Sequence, residues 1–264
     1  MKESTLHLVQ KLMVYSEAGG VTKTTTAVSL AMVAAIAGKR VLLIDLDPRA
    51  AATKWLGLEP KEPGLHVGAI LADENPEGWA ADLAVQVPWH ENLRFIPSDR
   101  QVSNREAERA EFAELRLRDS LHGLDVDLVV IDCPNRQGGP LILGALSAVD
   151  SVVYAANATA DGVDGFYGAQ QSVSRFVTAR QKMGAHVQLQ ELGLIVGDAQ
   201  LTVPSRVALT VIDELHDTGL LLRPIVPNRA IVREMRLTHE WYGNYRKGAP
   251  VVDAYEELAS TVLA

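Results

Sequence analysis

Residues 15–26, YSEAGGVTKTTT, end in Lys23-Thr24-Thr25 behind the pair Gly19-Gly20. A lysine followed by a hydroxyl residue at the mouth of a turn suits a phosphate chain. The ammonium reaches the outer phosphates and the hydroxyl takes Mg²⁺. Glycines ahead of it let the main chain approach an anion closely. The common spacing G-x-x-x-x-G-K-[ST] is departed from at both of its glycines, because Glu17 and Thr22 stand in their places. Two further stretches carry acids at the ends of apolar runs. RVLLIDLDP supplies Asp45 and Asp47, and DLVVIDCP supplies Asp132. An acid at the carboxyl end of a buried strand can organise Mg²⁺ or position water, or it can merely cap the helix that follows.

These residues need a frame. Apolar runs of strand length fall at 12–16, 40–45, 93–96, 128–132, 151–156, 193–196 and 221–226. Helical patterns lie between them at 24–37, 102–121, 141–148, 165–183, 205–215 and 250–263. VLLID and DLVVID show no polar alternation, as expected of strands covered on both faces. Alternating strands and helices imply right-handed crossovers and an α/β fold, a doubly wound, mostly parallel sheet with helices on both faces. Residues 17–23 then form the first strand-to-helix turn. Unpaired amides and the positive end of the helix dipole face an anion there. Nothing divides the chain, so residues 1–264 read as a single domain, with an insertion at 59–88 carrying short helices.

Bulk properties narrow the classes. A chain of 264 residues that is 47% hydrophobic and 22% charged is ordinary for a globular protein. Its longest apolar run, 27–37, is too short to span a bilayer, and MKESTLHLVQ has no leader pattern. One cysteine, Cys133, fits a reducing cytoplasm and reads as a small buried hydrophobe. Seven scattered histidines give no metal-ligand spacing. The net charge of −8 conceals an asymmetry. In 223–247, Arg223, Arg229, Arg233, Arg236, Arg246 and Lys247 face only Glu234 and Glu240, so that segment is +4 and the remainder −12. It is either a solvated face or a surface for polyanions.

The three acid- and lysine-bearing motifs, in this order, resemble the ParA/MinD group of deviant Walker A ATPases, and the ParA partition branch more closely. The group's loop, Lys-Gly-Gly-x-Gly-Lys-Thr-Thr, is matched by Ala18-Gly19-Gly20-Val21-Thr22-Lys23-Thr24-Thr25. Its second motif, Val-Leu-Leu-Ile-Asp-x-Asp-Pro-Gln, is matched from Val41 to Pro48, with Arg49 in place of Gln. LGLEP, NLRFIPSD and the tail APVVDAYEELASTVL also look like the group, and Val226-Pro227-Asn228 through Glu234 stands for its Ile-Pro-Arg segment.

The resemblance implies a P-loop fold that holds ATP and Mg²⁺ with residues 18–25. Thr24, Asp45 and Asp132 would attend the metal, Asp47 the attacking water and Lys23 the phosphates. It further implies a homodimer formed on ATP, nonspecific binding of double-stranded DNA through the basic segment, a ParB-like adaptor, and a cytoplasmic, nucleoid-associated protein. Arginines at 229, 233 and 236 fall at helical spacing and are expected to line one face. A MinD-like membrane role would need a basic amphipathic tail, whereas DAYEELASTVLA has acids and no bases. Alternatives are a non-hydrolysing adaptor, a positioning ATPase for a protein cargo, and a nucleotide-dependent metabolic enzyme.

Two departures bear on rate. Ala18 replaces the lysine that in the group crosses into the partner's site. Loss of a cation acting like an arginine finger costs on the order of 10³–10⁵ in rate. A slow ATPase, a switch with little turnover, or a stand-in from Arg49, Lys54 or Arg136 would each follow. Thr22 replaces a glycine. At positive φ it would be strained by about 1–3 kcal/mol, and at negative φ it would be harmless. With Lys23, Thr24, Asp45, Asp47 and Asp132 all retained, the expectation is ATP binding with slow hydrolysis.

Overall fold

A computed structural model describes residues 9–264. The absence of a leader pattern was read mostly from residues 1–8, which lie outside the described residues. Along the described chain come β1 (Gln10–Tyr15), α1 (Lys23–Ile36), β2 (Val41–Asp45), α2 (Ala51–Leu56), α3 (Val67–Ala72), α4 (Trp79–Leu83), β3 (Val85–Gln86) and β4 (Leu93–Ile96). Then follow α5 (Arg116–Ser120), β5 (Leu128–Asp132), α6 (Gly139–Ala148), β6 (Ser151–Ala156), α7 (Ala160–Lys182) and β7 (Gln190–Val196). The chain closes with α8 (Arg206–Asp217), α9 (Ala230–Thr238) and α10 (Ala249–Val262).

The seven strands hydrogen-bond in the order β3-β4-β2-β5-β1-β6-β7. Each neighbouring pair is parallel except β3 with β4. Side chains alternate across the sheet with the period of two that strands impose. Leu12, Val14, Leu128 and Val130 pack with α1, α2, α9 and α10, whereas Met13, Tyr15, Val129 and Ile131 pack with α3 through α8. Both faces are therefore dry, which is why these runs carry no polar residue until the strand ends.

Helix α1 is central because it is apolar almost all round, with residues 26–35 buried. Its two deepest hydroxyls are satisfied from across the layer: Thr26 shares a hydrogen bond of 3.1 Å with Tyr255, and Ser29 one of 2.7 Å with Tyr242. Unpaired, each would cost about 1–3 kcal/mol.

Three expectations are corrected. Residues 102–121 do not form one helix; they break into 3-10 turns at Arg100–Ala107 and Ala113–Leu115 ahead of α5. Their alternating Arg and Glu leave only Val102, Arg116, Leu117, Ser120 and Leu121 buried, too few for a continuous apolar stripe. Residues 221–226 are not a strand. They run beside β7, with Leu222 N–H donating to Leu194 and Val226 N–H to Val196, but Pro224 between them has no N–H to continue a ladder. Residues 59–88 hold the short helices α3 and α4 and also β3, an antiparallel edge strand the sequence did not announce.

Candidate functional site

The turn between β1 and α1 sits at the carboxyl edge of the sheet. Gly20 has φ 73° and Thr22 φ 69°, so Thr22 takes the strained alternative. A left-handed conformation costs an ordinary residue roughly 1–2 kcal/mol. Neighbours on two sides hold the loop in it. A Cβ added to Gly197 would stand 2.9 Å from Thr22 Oγ1, so only glycine lets β7's end lie against this side chain. On the other side, a Cβ at Gly165 of α7 would stand 2.4 Å from Ala18 Cβ. Glu17, where the common pattern has glycine, serves as a strut. Its N–H donates to Gly165 O at 3.0 Å, and its Oε1 accepts from the Ser172 hydroxyl at 2.7 Å and from Tyr15 at 3.2 Å. The departures at 17 and 22 are thus built into the packing.

Lys23 is buried, and its Nζ donates to the loop's own Ala18 O at 2.6 Å. Burial pushes its pKa down, while the Asp132 and Asp47 carboxylates oppose the shift. Asp45 and Asp132 are register partners at the ends of β2 and β5, and both are fully buried. Asp45 accepts from Asp47 N–H at 3.0 Å, Thr53 N–H at 2.9 Å and the Thr53 hydroxyl at 2.8 Å. Burial still pushes its pKa up to about 6. Neither oxygen of Asp132 has a hydrogen-bond partner of good geometry, although the Thr24 hydroxyl lies near enough to act on it. Burial and the Asp45 charge push its carboxyl well above the usual range, with Thr24 and Lys23 pulling the other way. Asp47 lies at the cleft, where its Oδ1 accepts from Arg49 N–H at 2.8 Å.

An orphaned buried carboxylate beside a hydroxyl and an ammonium is an environment that a cation would complete. Mg²⁺ is commonly held by one or two side chains together with phosphate oxygens and water, so Thr24 and Asp132 suit it without a protein cage. Above them opens a cleft of about 360 Å³, lined by residues 19–25, Asp47, Arg49, Asn135, Asp198 and Tyr255. That is a size in keeping with small-molecule sites.

The AAA domain family (AAA_31) matches residues 9–186. Over 97% of this chain and 96% of its own length, the chromosome-partitioning ATPase Soj of Thermus thermophilus is 28% identical. The chain belongs to the ParA/Soj-type family of deviant Walker A ATPases. Its fold is P-loop-like: ligand-free McdA from Cyanthece superposes with a TM-score of 0.80 at 23% identity, covering 97% of this chain and all of that one. Cobyrinic acid a,c-diamide synthase from Mycobacterium smegmatis, 27% identical, superposes with a TM-score of 0.73 over 97% of this chain and 94% of that one. That enzyme was solved with bound ADP and magnesium.

In this ParA/Soj-type chain the expected loop residues, Ala18 excepted, line the cleft together with Asp47. Asp45 and Asp132 lie beneath, buried. Of the cations considered for the role lost at Ala18, Arg49 lines the cleft, Lys54 Nζ donates to Arg49 O at 2.7 Å, and Arg136 faces Glu106 at 3.4 Å. The basic segment divides between this cleft and open surface. Arg229 and Arg233 line the cleft, with Arg233 3.7 Å from Asp198. Arg223, Arg246 and Lys247 are exposed. Arg236 lines the same cleft but is only partly exposed, and it donates to Thr25 Oγ1 at 2.5 Å. Spacing alone missed this because Ile231 and Met235 fix the buried side of α9 and carry Arg236 with it.

Sequence reasoning also missed Asn135, Asp198 and Tyr255. The first two follow the ends of β5 and β7, where strand-end position was a usable signal. Tyr255 had no such signal, since α10 reaches the site only through packing on α1.

Proposed function

We propose that this chain is an ATP-dependent switch. As a single P-loop domain it binds MgATP, pairs with a second copy on doing so, binds DNA nonspecifically and positions DNA. The observation that carries this is the meeting of Lys23, Thr24 and the buried, undersatisfied Asp132 at the carboxyl edge of the sheet. The loop amides and Lys23 hold the phosphates, Thr24 and Asp132 attend the metal, and Asp45 fixes the turn that presents Asp47 to water. Mg²⁺, when bound, neutralises charge on the outer phosphates. In-line attack asks little covalent help of a protein, so positioning carries the rate. Ala18 offers no cation to a partner, and turnover is accordingly slow.

Arg229, Arg233, Arg223, Arg246 and Lys247 supply the charge for DNA. A second copy doubles that surface, which makes DNA binding follow nucleotide through geometry. A ParB-like adaptor on the cargo stimulates turnover, and the protein works in the cytoplasm on the nucleoid. Among the described residues no helix is long and apolar enough to cross a membrane. A second reading, a nucleotide-dependent metabolic enzyme, draws on the likeness to the diamide synthase.

Light scattering with no nucleotide, MgADP and MgATP, run beside phosphate release with and without DNA, tests the switch. ATP-driven pairing and DNA-responsive phosphate release are expected. A monomer indifferent to ATP rejects it, and phosphate release that ignores DNA favours the metabolic reading.

A further inference from the structure

Arg236 stands apart from the other basic residues of its segment. It follows the buried Met235 on α9, which puts it on the border between core and cleft. Its guanidinium carbon lies 4.8 Å from the Trp55 ring centroid, and one terminal nitrogen donates to Thr25. Its Nε is buried without a partner. Among the described residues it makes no ion pair; Asp132 and Asp198 act on it only at longer range. A half-buried charge without a counter-charge is costly, and arginine's planar fork matches phosphate oxygens. Thr25 is the third residue of α1, where the helix start presents unpaired amides to an anion. An anion seated there finds the guanidinium beside it.

We propose that Arg236 is a nucleotide-binding residue of this chain, reaching from α9 over Trp55 to the phosphate chain held at the start of α1. The inference rests on the nucleotide-binding reading. It assigns to α9 a direct part in sensing nucleotide, since the same helix carries Arg233, with Arg229 immediately before it, at the rim of the cleft. A cation on an indole face is also a sound structural contact in itself. The missing acidic partner and the idle Nε set Arg236 apart from a mere strut.

The test compares wild type, Arg236→Gln, Arg236→Lys and Lys23→Ala by calorimetric titration with MgADP and MgATP. Nucleotide-free melting is followed alongside. Arg236→Gln is expected to weaken both nucleotides about 10- to 100-fold, with Arg236→Lys recovering part of the loss. MgADP should also change the tryptophan fluorescence of wild type as the guanidinium shifts on Trp55. That change should disappear in Trp55→Phe and in Arg236→Gln. Should Arg236→Gln fail to fold, Arg236→Lys keeps the charge while losing the fork, and it is still expected to bind more weakly than wild type. Both Arg236 variants binding within about twofold of wild type while Lys23→Ala abolishes binding would make Arg236 a strut and overturn the proposal. Wild type binding neither nucleotide would overturn the nucleotide reading itself, and this proposal with it.

Discussion

Asp45 and Asp132 occupy matching positions on neighbouring strands, equally buried, yet they are treated in opposite ways. Asp45 is saturated by three donors from the turn and helix that follow it. Asp132 is faced only by the Thr24 hydroxyl, without good hydrogen-bond geometry. A buried carboxylate with a full set of donors is part of the frame, and one without them is held ready for something that arrives. The same contrast recurs among the cations. Lys23 is parked on Ala18 O, while Arg236 is only half satisfied.

The largest effect that can break this comparison is Asp45→Ala. It strands the Asp47 amide and both donors of Thr53 in a dry site, and a loss of about 3–5 kcal/mol in urea unfolding is expected. A loss below 1 kcal/mol would deny Asp45 its framing role.

The next is pH. A folded-state pKa raised from 3.8 to about 6 means that the folded chain holds the Asp45 proton more tightly than the unfolded chain. The stability it contributes is full below pH 4 and is lost as pH rises through about 6. Its full span is on the order of 3 kcal/mol. Unfolding at pH 5 and pH 7.5 should show wild type losing more than Asp45→Asn on going up. Magnesium-dependent nucleotide binding should move the opposite way and strengthen as both carboxyls ionise.

Asp132→Asn sharpens the contrast. It replaces a carboxyl whose charged form burial already disfavours and which only the Thr24 hydroxyl faces, so stability without nucleotide should hold or rise by up to about 2 kcal/mol while magnesium-dependent binding collapses. Destabilisation as large as that of Asp45→Ala would erase the distinction. The smallest effect belongs to Thr22→Gly. Relief of the left-handed strain is partly offset by glycine's chain entropy, leaving a gain of about 0.5–1 kcal/mol in melting experiments.

Much of the frame was legible because covered parallel strands write themselves as unbroken apolar runs ending in acids, as VLLID and LVVID do. The positions of Lys23, Thr24, Asp45, Asp47 and Asp132 at one sheet edge followed from that. What could not be read was conformation and direction. Nothing in the letters said whether Thr22 would lie at positive φ, because Gly197, distant in sequence, supplies the room. Helical spacing grouped Arg236 with Arg229 and Arg233, but the packing of Ile231 and Met235 against the core decides which way α9 turns. The two-residue β3 and the broken 102–121 region carry too few apolar anchors to announce themselves.

Calorimetric titration of MgATP into wild type and Lys23→Ala tests the account most directly. Saturable heat from wild type that disappears in the variant is the predicted result. No heat from either protein, at concentrations where both are folded, would contradict it.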